Sequence, residues 1–424
     1  MRHTSRRKCL RCAEVYVTLL VMISSSAEIL FALLRAALGK GAASCEGAEA
    51  RSEGLDLGSV SVEVWKEVID LSFDQGVAAI AVDGLQECLP LTPPEGKGTQ
   101  GGESLGSTGS PTENEGLLAL DSPELEDLKY EWFGEVFSCE EDYKEYLAKL
   151  QELVGLYRSE GIRAMVLKGY GLGLNYPIPA HRPTGDVDVY LSAWRRGDEI
   201  IRKRGIEIDN SHHHHSVFGW KGLTVENHYD FVNVHSHRSS ADVERKLKSL
   251  AAVGKTVNGI DLPSADFNAL FVIRHIAAHF AAEGMNLRQL LDWALFVREH
   301  SAEVDWQAAW GCYRRWNMHR FVLCIDEIAV RWLGFERAIF GIPEEFADFG
   351  ASDAALVDRV LEEILHPTRV EGGRGCLPVY VWRRFRQWWL SRWKHRIVYS
   401  DSLVSTFLWQ VRSHLMKPAT LVGK

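Results

Sequence analysis

The feature that most constrains this chain is the short run Gly185-Asp186-Val187-Asp188-Val189. Side chains alternate faces along a strand, so Asp186 and Asp188 project to one side and Val187 and Val189 to the other. Two carboxylates sharing a face repel one another and lose hydration unless a cation joins them. Asp-x-Asp alone is common, and most instances are solvated turns or strand ends. Here it follows Arg182-Pro183-Thr184-Gly185 and lies within an apolar strand ending at Leu191. A fold that buries Val187 and Val189 sets both aspartates on the other face, which favours a catalytic metal over a solvated strand end. Partly open, oxygen-rich sites suit Mg²⁺, which keeps several waters and completes its shell with phosphate oxygens.

The rest of the chain alternates helical patterns with one small strand-rich unit. Apolar residues recur at helical spacing over 27–38, where Ser24 to Ser26 supply an N-cap, and over 61–75, which Gly76 ends. Residues 93–116 are Gly/Ser/Thr/Pro/Glu-rich with almost no large apolar side chain and read as a disordered linker. A helix is expected over 125–137, then a second over 138–159 opened by a capping box of Ser138 and Glu141. Strands are expected over 164–167, 186–191 and 206–208, with a basic helix over 194–204. A hairpin turns at Gly219-Trp220-Lys221-Gly222. From Pro263 onward every pattern is helical. The organisation expected is a leader or over-called start (1–23), an amino-terminal helical region (24–92), the linker (93–116), an α/β core (117–260) and a helical carboxyl-terminal domain (261–424). The fold class is α+β, with a small mixed sheet and flanking helices.

Residues 1–23 imitate a secretory signal, since Arg2, Arg6, Arg7, Lys8 and Arg11 precede an apolar run. Glu14 opens that run, it is too short to span a membrane, and Met22 offers another start. A cytoplasmic protein is expected, with cleaved export as the rival. The eight cysteines are scattered apart from Cys9 and Cys12, whose CxxC has no partner pair at zinc-site spacing. A net charge of −9 argues against general nucleic-acid binding.

Other residues complete or compete with the aspartates. A third carboxylate would finish a two-metal arrangement, and Glu226 is the candidate, on a later strand where Glu226, His228 and Asp230 alternate with Val225, Asn227 and Tyr229. An exposed hairpin carboxylate is its plainer reading. Lys168-Gly169 lies at a strand-to-helix junction, where backbone N–H groups and a lysine suit phosphate, although a capping turn with a solvated lysine uses the same residues. Gly171 and Gly173 form no Walker loop, because no GK[ST] follows. His212 to His215, with His235 and His237, read as surface polarity, the sharper option being a phosphate or substrate contact. Adjacent histidines in a strand alternate faces, so at most two can converge on one ion. His228 shares a face with Glu226 and is placed to orient it or touch substrate. His275 and His279 lie one turn apart but lack the glutamate and third ligand of a metalloprotease helix, so they read as a packed or hydrogen-bonded helix face. Arg288 and Asp292 form an i,i+4 pair. The run from Trp382 to Trp389 reads as an amphipathic helix that buries its tryptophans and shows its arginines, rather than a nucleic-acid stacking platform.

Taken together, these residues resemble the DNA polymerase β-like nucleotidyltransferase superfamily, and within it the bacterial family described as uncharacterised nucleotidyltransferases. The matching pieces are Val166-Leu167-Lys168-Gly169, Tyr176-Pro177, Arg182 through Val189, and Val225-Glu226-Asn227-His228. His275, His279, the run Arg288 through Asp292, Gln75-Gly76-Val77 and Asp83-Gly84 also match. The wider superfamily has Gly-Gly or Gly-Ser after its first strand, where this chain has Gly169-Tyr170, and the spacing to the aspartates is longer than in many members.

The resemblance implies a transferase that moves a nucleoside monophosphate from an NTP to an acceptor hydroxyl and releases pyrophosphate. Asp186, Asp188 and Glu226 would be the catalytic and metal residues for Mg²⁺ (or Mn²⁺), while Lys168, Gly169, Arg182 and Gly185 would bind the nucleotide. His228 is a possible substrate contact. The acceptor is a small molecule, a protein or an RNA end, and no membrane partner is expected. The alternative is a catalytically inactive nucleotide-binding or assembly protein that keeps the fold. A phosphohydrolase built on the histidines would need a clustering that their spacing does not show.

Overall fold

Val187 and Val189 dictate the architecture, because one sheet face must be covered wherever they point. A computed structural model describes residues 24–39, 57–88, 122–251, 254–368 and 377–416. The readings made for 1–23, 93–116, Cys9, Cys12, Cys45 and Cys376 lie outside the described residues. In chain order the sheet consists of β1 (Ala164–Val166), β2 (Val187–Leu191), β3 (His215–Trp220), β4 (Leu223–His228), β5 (Gly254–Val257) and β6 (Ile260–Pro263). The spatial order is β3-β4-β2-β1-β6-β5, and the sheet is mixed: β2 runs antiparallel to β1 but parallel to β4.

The helices before the sheet are α1 (Ser25–Ala37), α2 (Val62–Asp74), α3 (Ala78–Cys88) and α4 (Glu126–Ser159). Those after β2 are α5 (Trp194–Arg202), α6 (Ser240–Leu250), α7 (Ala265–Ala282), α8 (Leu287–His300), α9 (Trp306–Arg315), α10 (His319–Leu333), α11 (Ala354–Leu365), α12 (Leu377–Leu390), α13 (Arg392–Val398) and α14 (Leu403–Met416). On one sheet face Val187, Val189, Leu191 and Val225 join Leu150, Leu153 and Tyr157 of α4 and Ile200 and Ile201 of α5 in an apolar cluster. The opposite face carries Asp188 and Tyr190. There Tyr190 stacks on Phe231 at 4.4 Å, and Phe231 meets Phe267 and Phe271 of α7 at 4.8 and 6.1 Å. Helix α7 therefore roofs the face that bears the acid.

A second, larger core joins helices far apart in sequence. Leu30, Leu33, Trp65 and Val82 share it with Leu290, Trp293, Phe321 and Ile364. Gln75 clasps the two ends: its amide donates to the Ile364 carbonyl at 3.1 Å and accepts from the Leu287 N–H at 2.9 Å. Helices α1 and α3 approach so closely that a Cβ on Gly84 would lie 1.8 Å from the Leu33 carbonyl oxygen, so only glycine fits there.

Four local expectations are corrected. The helices expected over 125–137 and 138–159 form one 34-residue helix, and the Ser138 capping signal goes unused. The buried positions Trp132, Cys139, Tyr146 and Leu153 explain this, because their seven-residue spacing keeps one stripe continuous through Ser138. The strand expected over 206–208 shrinks to a single bridge between Asp209 and Val217, while Ile206 and Ile208 pack as partly buried side chains. A hairpin not expected, β5–β6, forms at Asn258-Gly259, both with positive φ. Finally, Trp382 and Trp389 of α12 are exposed, at 63% and 50%, instead of buried. Core contact comes from the next helix, where Ile397 and Val398 are buried and Trp393 is partly so.

Candidate functional site

The parallel pairing of β2 with β4 creates the site. Its register sets Asp188 directly opposite Glu226. The β3–β4 turn at Lys221-Gly222 has φ of 50° and 90°, the type I′ geometry that joins tightly twisted strands. With that turn in place, His215 pairs with His228 at the far end of the hairpin, beside the carboxylates.

Asp188 is buried, and its Oδ1 meets the Lys168 Nζ at 2.8 Å and the His228 Nε2 at 3.1 Å. His228 Nε2 also lies 3.3 Å from Glu226 Oε2, while its Nδ1 donates to the Asp230 carbonyl at 3.2 Å. Burial works against a charged His228 ring, but its hydrogen bonds to Asp188 and Glu226 prevail and carry it to about 9. Burial would likewise raise Asp188, yet the Lys168 charge and the His228 bond hold it far below the carboxylate range. Glu226 is held down against its burial by the His228 hydrogen bond and the His215 charge.

Asp186 stands just before β2 with its side chain exposed. Partial burial, and then the charges of Glu226 and Asp188, push its carboxyl upward, with Lys168 opposing. Three carboxylates thus influence one another where β2 and β4 lie side by side. One ligand atom each from Asp188, Glu226 and His228 lies within 4.8 Å of the others. Such a donor set fits a divalent cation, which would relieve the repulsion that raises Asp186.

The nucleotide-side residues are more dispersed. Gly169 adopts φ +43°, and a Cβ there would lie 2.9 Å from the Tyr146 hydroxyl. Only one helical turn follows, Tyr170–Gly173, so the helix dipole anticipated at this junction is small. Gly185 is exposed with open space around it. Arg182 is buried and clamped to Asp292, Nε to Oδ1 at 2.7 Å and Nη2 to Oδ2 at 2.9 Å, and Tyr176 donates to the same carboxylate at 2.8 Å. Asp292 thus takes Arg182 as its bidentate partner rather than the Arg288 suggested by i,i+4 spacing.

His275 and His279, expected on a packed or hydrogen-bonded helix face, lie on one, and that face borders the site. Phe267, Phe271, His275 and His279 recur every four residues on α7, so one stripe runs from the core into the site. Lys168 donates to His275 Nε2 at 3.4 Å, and the His275 and His279 rings meet edge-on at 4.5 Å. Burial, with the Lys168 charge adding to it, lowers both imidazoles from the usual histidine value, His275 the further. The four-residue spacing was the available signal.

The reading of His212 to His215 as surface polarity holds for His212, which is exposed, and is corrected for His214 and His215. His215 is 6% exposed, and its ring centre lies 5.1 Å from that of His228. Burial lowers His214 to about 2 and His215 to about 4. His214 precedes the strand, where backbone alternation does not hold, so neighbouring histidines turn toward one place. His237 instead stacks on Tyr399 at 3.6 Å.

A family model described as "Uncharacterised nucleotidyltransferase" matches residues 62–334. No curated protein and no solved structure matches the chain. The matched span runs from α2 to the end of α10 and includes every strand and each acid of the site. The mixed sheet, the acids facing one another across β2 and β4, and this match lead to one assignment: the chain belongs to the uncharacterised nucleotidyltransferase family and is a transferase.

Proposed function

We propose that the protein is a Mg²⁺-dependent nucleotidyltransferase that moves a nucleoside monophosphate from an NTP to an acceptor hydroxyl, releasing pyrophosphate. The observation that supports this reading most is the β2–β4 register, which sets Glu226 opposite Asp188 with Asp186 two residues earlier. Asp186, Asp188 and Glu226 would hold Mg²⁺ or Mn²⁺. When bound, the cation supplies charge stabilisation at the phosphate and activation of the attacking oxygen.

The chain's own groups do the rest. Glu226 accepts the acceptor's proton. Lys168 turns its ammonium from Asp188 toward the triphosphate, and the Gly169 and Gly185 backbones admit phosphate closely. Arg182 acts through Asp292, fixing the loop that delivers Asp186, and the Tyr146 and Tyr170 rings wall the adjacent pocket. His228 holds Asp188 and Glu226 in register. The acceptor is a small molecule, a protein side chain or an RNA end.

Among the described residues no helix is long and apolar enough to cross a membrane. Cys88, Cys139, Cys312 and Cys324 are free thiols, which supports a cytoplasmic location.

A second reading, an inactive nucleotide-binding protein, draws on the neutralisation of Asp188 by Lys168 and His228. A screen of NTPs with Mg²⁺ or Mn²⁺, following pyrophosphate release and transfer of an α-phosphate label, separates the two. Wild type should release pyrophosphate and Asp186→Asn should not. If wild type matches Asp186→Asn and Asp188→Asn in every assay and binds no metal by calorimetry, the transferase reading is wrong.

A further inference from the structure

Of the imidazoles packed beside Glu226, nucleotidyl transfer uses only His228, which holds Asp188 and Glu226 in register. His214 precedes β3, His215 opens it, and His228 closes β4 directly across the ladder. Their ring centres lie 4.3 Å (His214–His215), 5.1 Å (His215–His228) and 5.6 Å (His214–His228) apart. One ring nitrogen from each lies within 4.8 Å of the other two. Both His215 nitrogens and the His214 Nδ1 are buried without a hydrogen-bond partner. Buried ring nitrogens are normally paired, so orphans on adjacent histidines at the start of β3 require an explanation.

Their neighbours supply one. Glu226 Oε2 lies 3.7 Å from His215 Nδ1, too long for a hydrogen bond but within reach of a shared cation. The His228 Nδ1 donation to the Asp230 carbonyl fixes that ring with Nε2 turned toward Asp188 and Glu226, and an ion bound there would displace the Nε2 proton now donated to them.

We propose that His214, His215 and His228 bind a zinc-class divalent ion, with Glu226 as the adjoining carboxylate. Imidazole nitrogen suits Zn²⁺, whereas Mg²⁺ prefers oxygen donors and retained water, so this site differs in chemistry from the oxygen-rich one at Asp186 and Asp188, with which it shares Glu226. The ion ties the segment entering β3 to the strand that presents Glu226. It is independent of which acceptor the enzyme uses.

The test uses full-length protein stripped with a chelator and titrated with Zn²⁺ by calorimetry in excess Mg²⁺, without nucleotide. Wild type should take up one equivalent that Mg²⁺ does not displace. His214→Asn and His215→Ala should each weaken uptake by at least about tenfold, the lower end of the loss seen when even supporting groups of metal sites are removed. Asp186→Asn should bind Zn²⁺ as wild type does. Co²⁺ loaded in place of Zn²⁺ should give visible ligand-field bands that weaken in His214→Asn, the half-buried position at which a folded variant is easier to obtain. Absence of Zn²⁺ uptake in excess Mg²⁺, or equal uptake by wild type and His214→Asn, would overturn the proposal. Zinc uptake without pyrophosphate release would leave this site standing while removing the transferase reading, and the converse result would do the opposite.

Discussion

Two buried charge clusters lie within the same fold, and they are built on opposite plans. Around Asp292 both carboxylate oxygens are taken by Arg182 in a bidentate pair, and Tyr176 adds a third bond. Around Asp188 the bonds are shared rather than closed: Asp186 remains exposed, His228 divides between Asp188 and Glu226, and Lys168 reaches both Asp188 and His275. A closed cluster has nothing left to offer a ligand, so its worth is geometric. An open one keeps donors turned toward a common point, and that is where chemistry belongs.

The largest expected effect comes from breaking the open cluster. Asp186→Asn should lower nucleotidyl transfer by roughly 10³-fold or more, since charge stabilisation by a bound cation contributes several kcal/mol. Label transfer measures this, and the melting temperature should move little by comparison. Asp292→Asn should show the reverse pattern. Leaving the Arg182 guanidinium buried without its counter-charge costs about 3–5 kcal/mol, to be read from urea unfolding. If Asp292→Asn keeps wild-type stability, the distinction between the clusters fails.

Gly169→Ala comes next. At φ +43° and ψ −102° an alanine is strained by about 1–3 kcal/mol and meets the Tyr146 hydroxyl, so the loop that bears Lys168 should shift and KM for NTP should rise. The smallest effect concerns the segment leading into Arg182. His181 bridges Asp83 at 2.7 Å and Glu140 at 3.3 Å, and the hydrogen bond to Asp83 raises its pKa against the pull of burial. A raised histidine contributes stability that is complete below its unfolded pKa of about 6.5 and is lost as pH rises through the folded value. The melting-temperature gap between wild type and His181→Gln should therefore be wider near about pH 5 than near about pH 8.

What the sequence disclosed follows the range of the interactions. The strand carrying Asp188 and the hairpin bringing Glu226 were readable because alternation and turn chemistry act within a few residues. The Asn258-Gly259 hairpin carried an equally local signal that went unread. The Arg182–Asp292 clamp was not legible, since it spans 110 positions and nearby Arg288 offered a simpler partner. Lys168 over Asp188 depends on β1 lying beside β2, and His275 on α7 roofing the sheet. The Ser138 cap shows a true local preference overruled by a longer apolar stripe. Gly84, noticed only as part of a resemblance, has a steric cause at Leu33 that no nearby residue announces.

The clasp at Gln75 has a consequence for how the protein is made. Its amide contacts the Ile364 carbonyl 289 positions later, and Trp65 and Leu33 share a core with Phe321. Synthesis proceeds at about 5–20 residues per second, so the first helices emerge tens of seconds before the surfaces that cover them. A nascent chain in that interval presents bare leucine and tryptophan to its surroundings. Yield in a cell should therefore respond to holding chaperones and to growth temperature, and a chain truncated before α11 should aggregate even though every strand and each acid of the site is present.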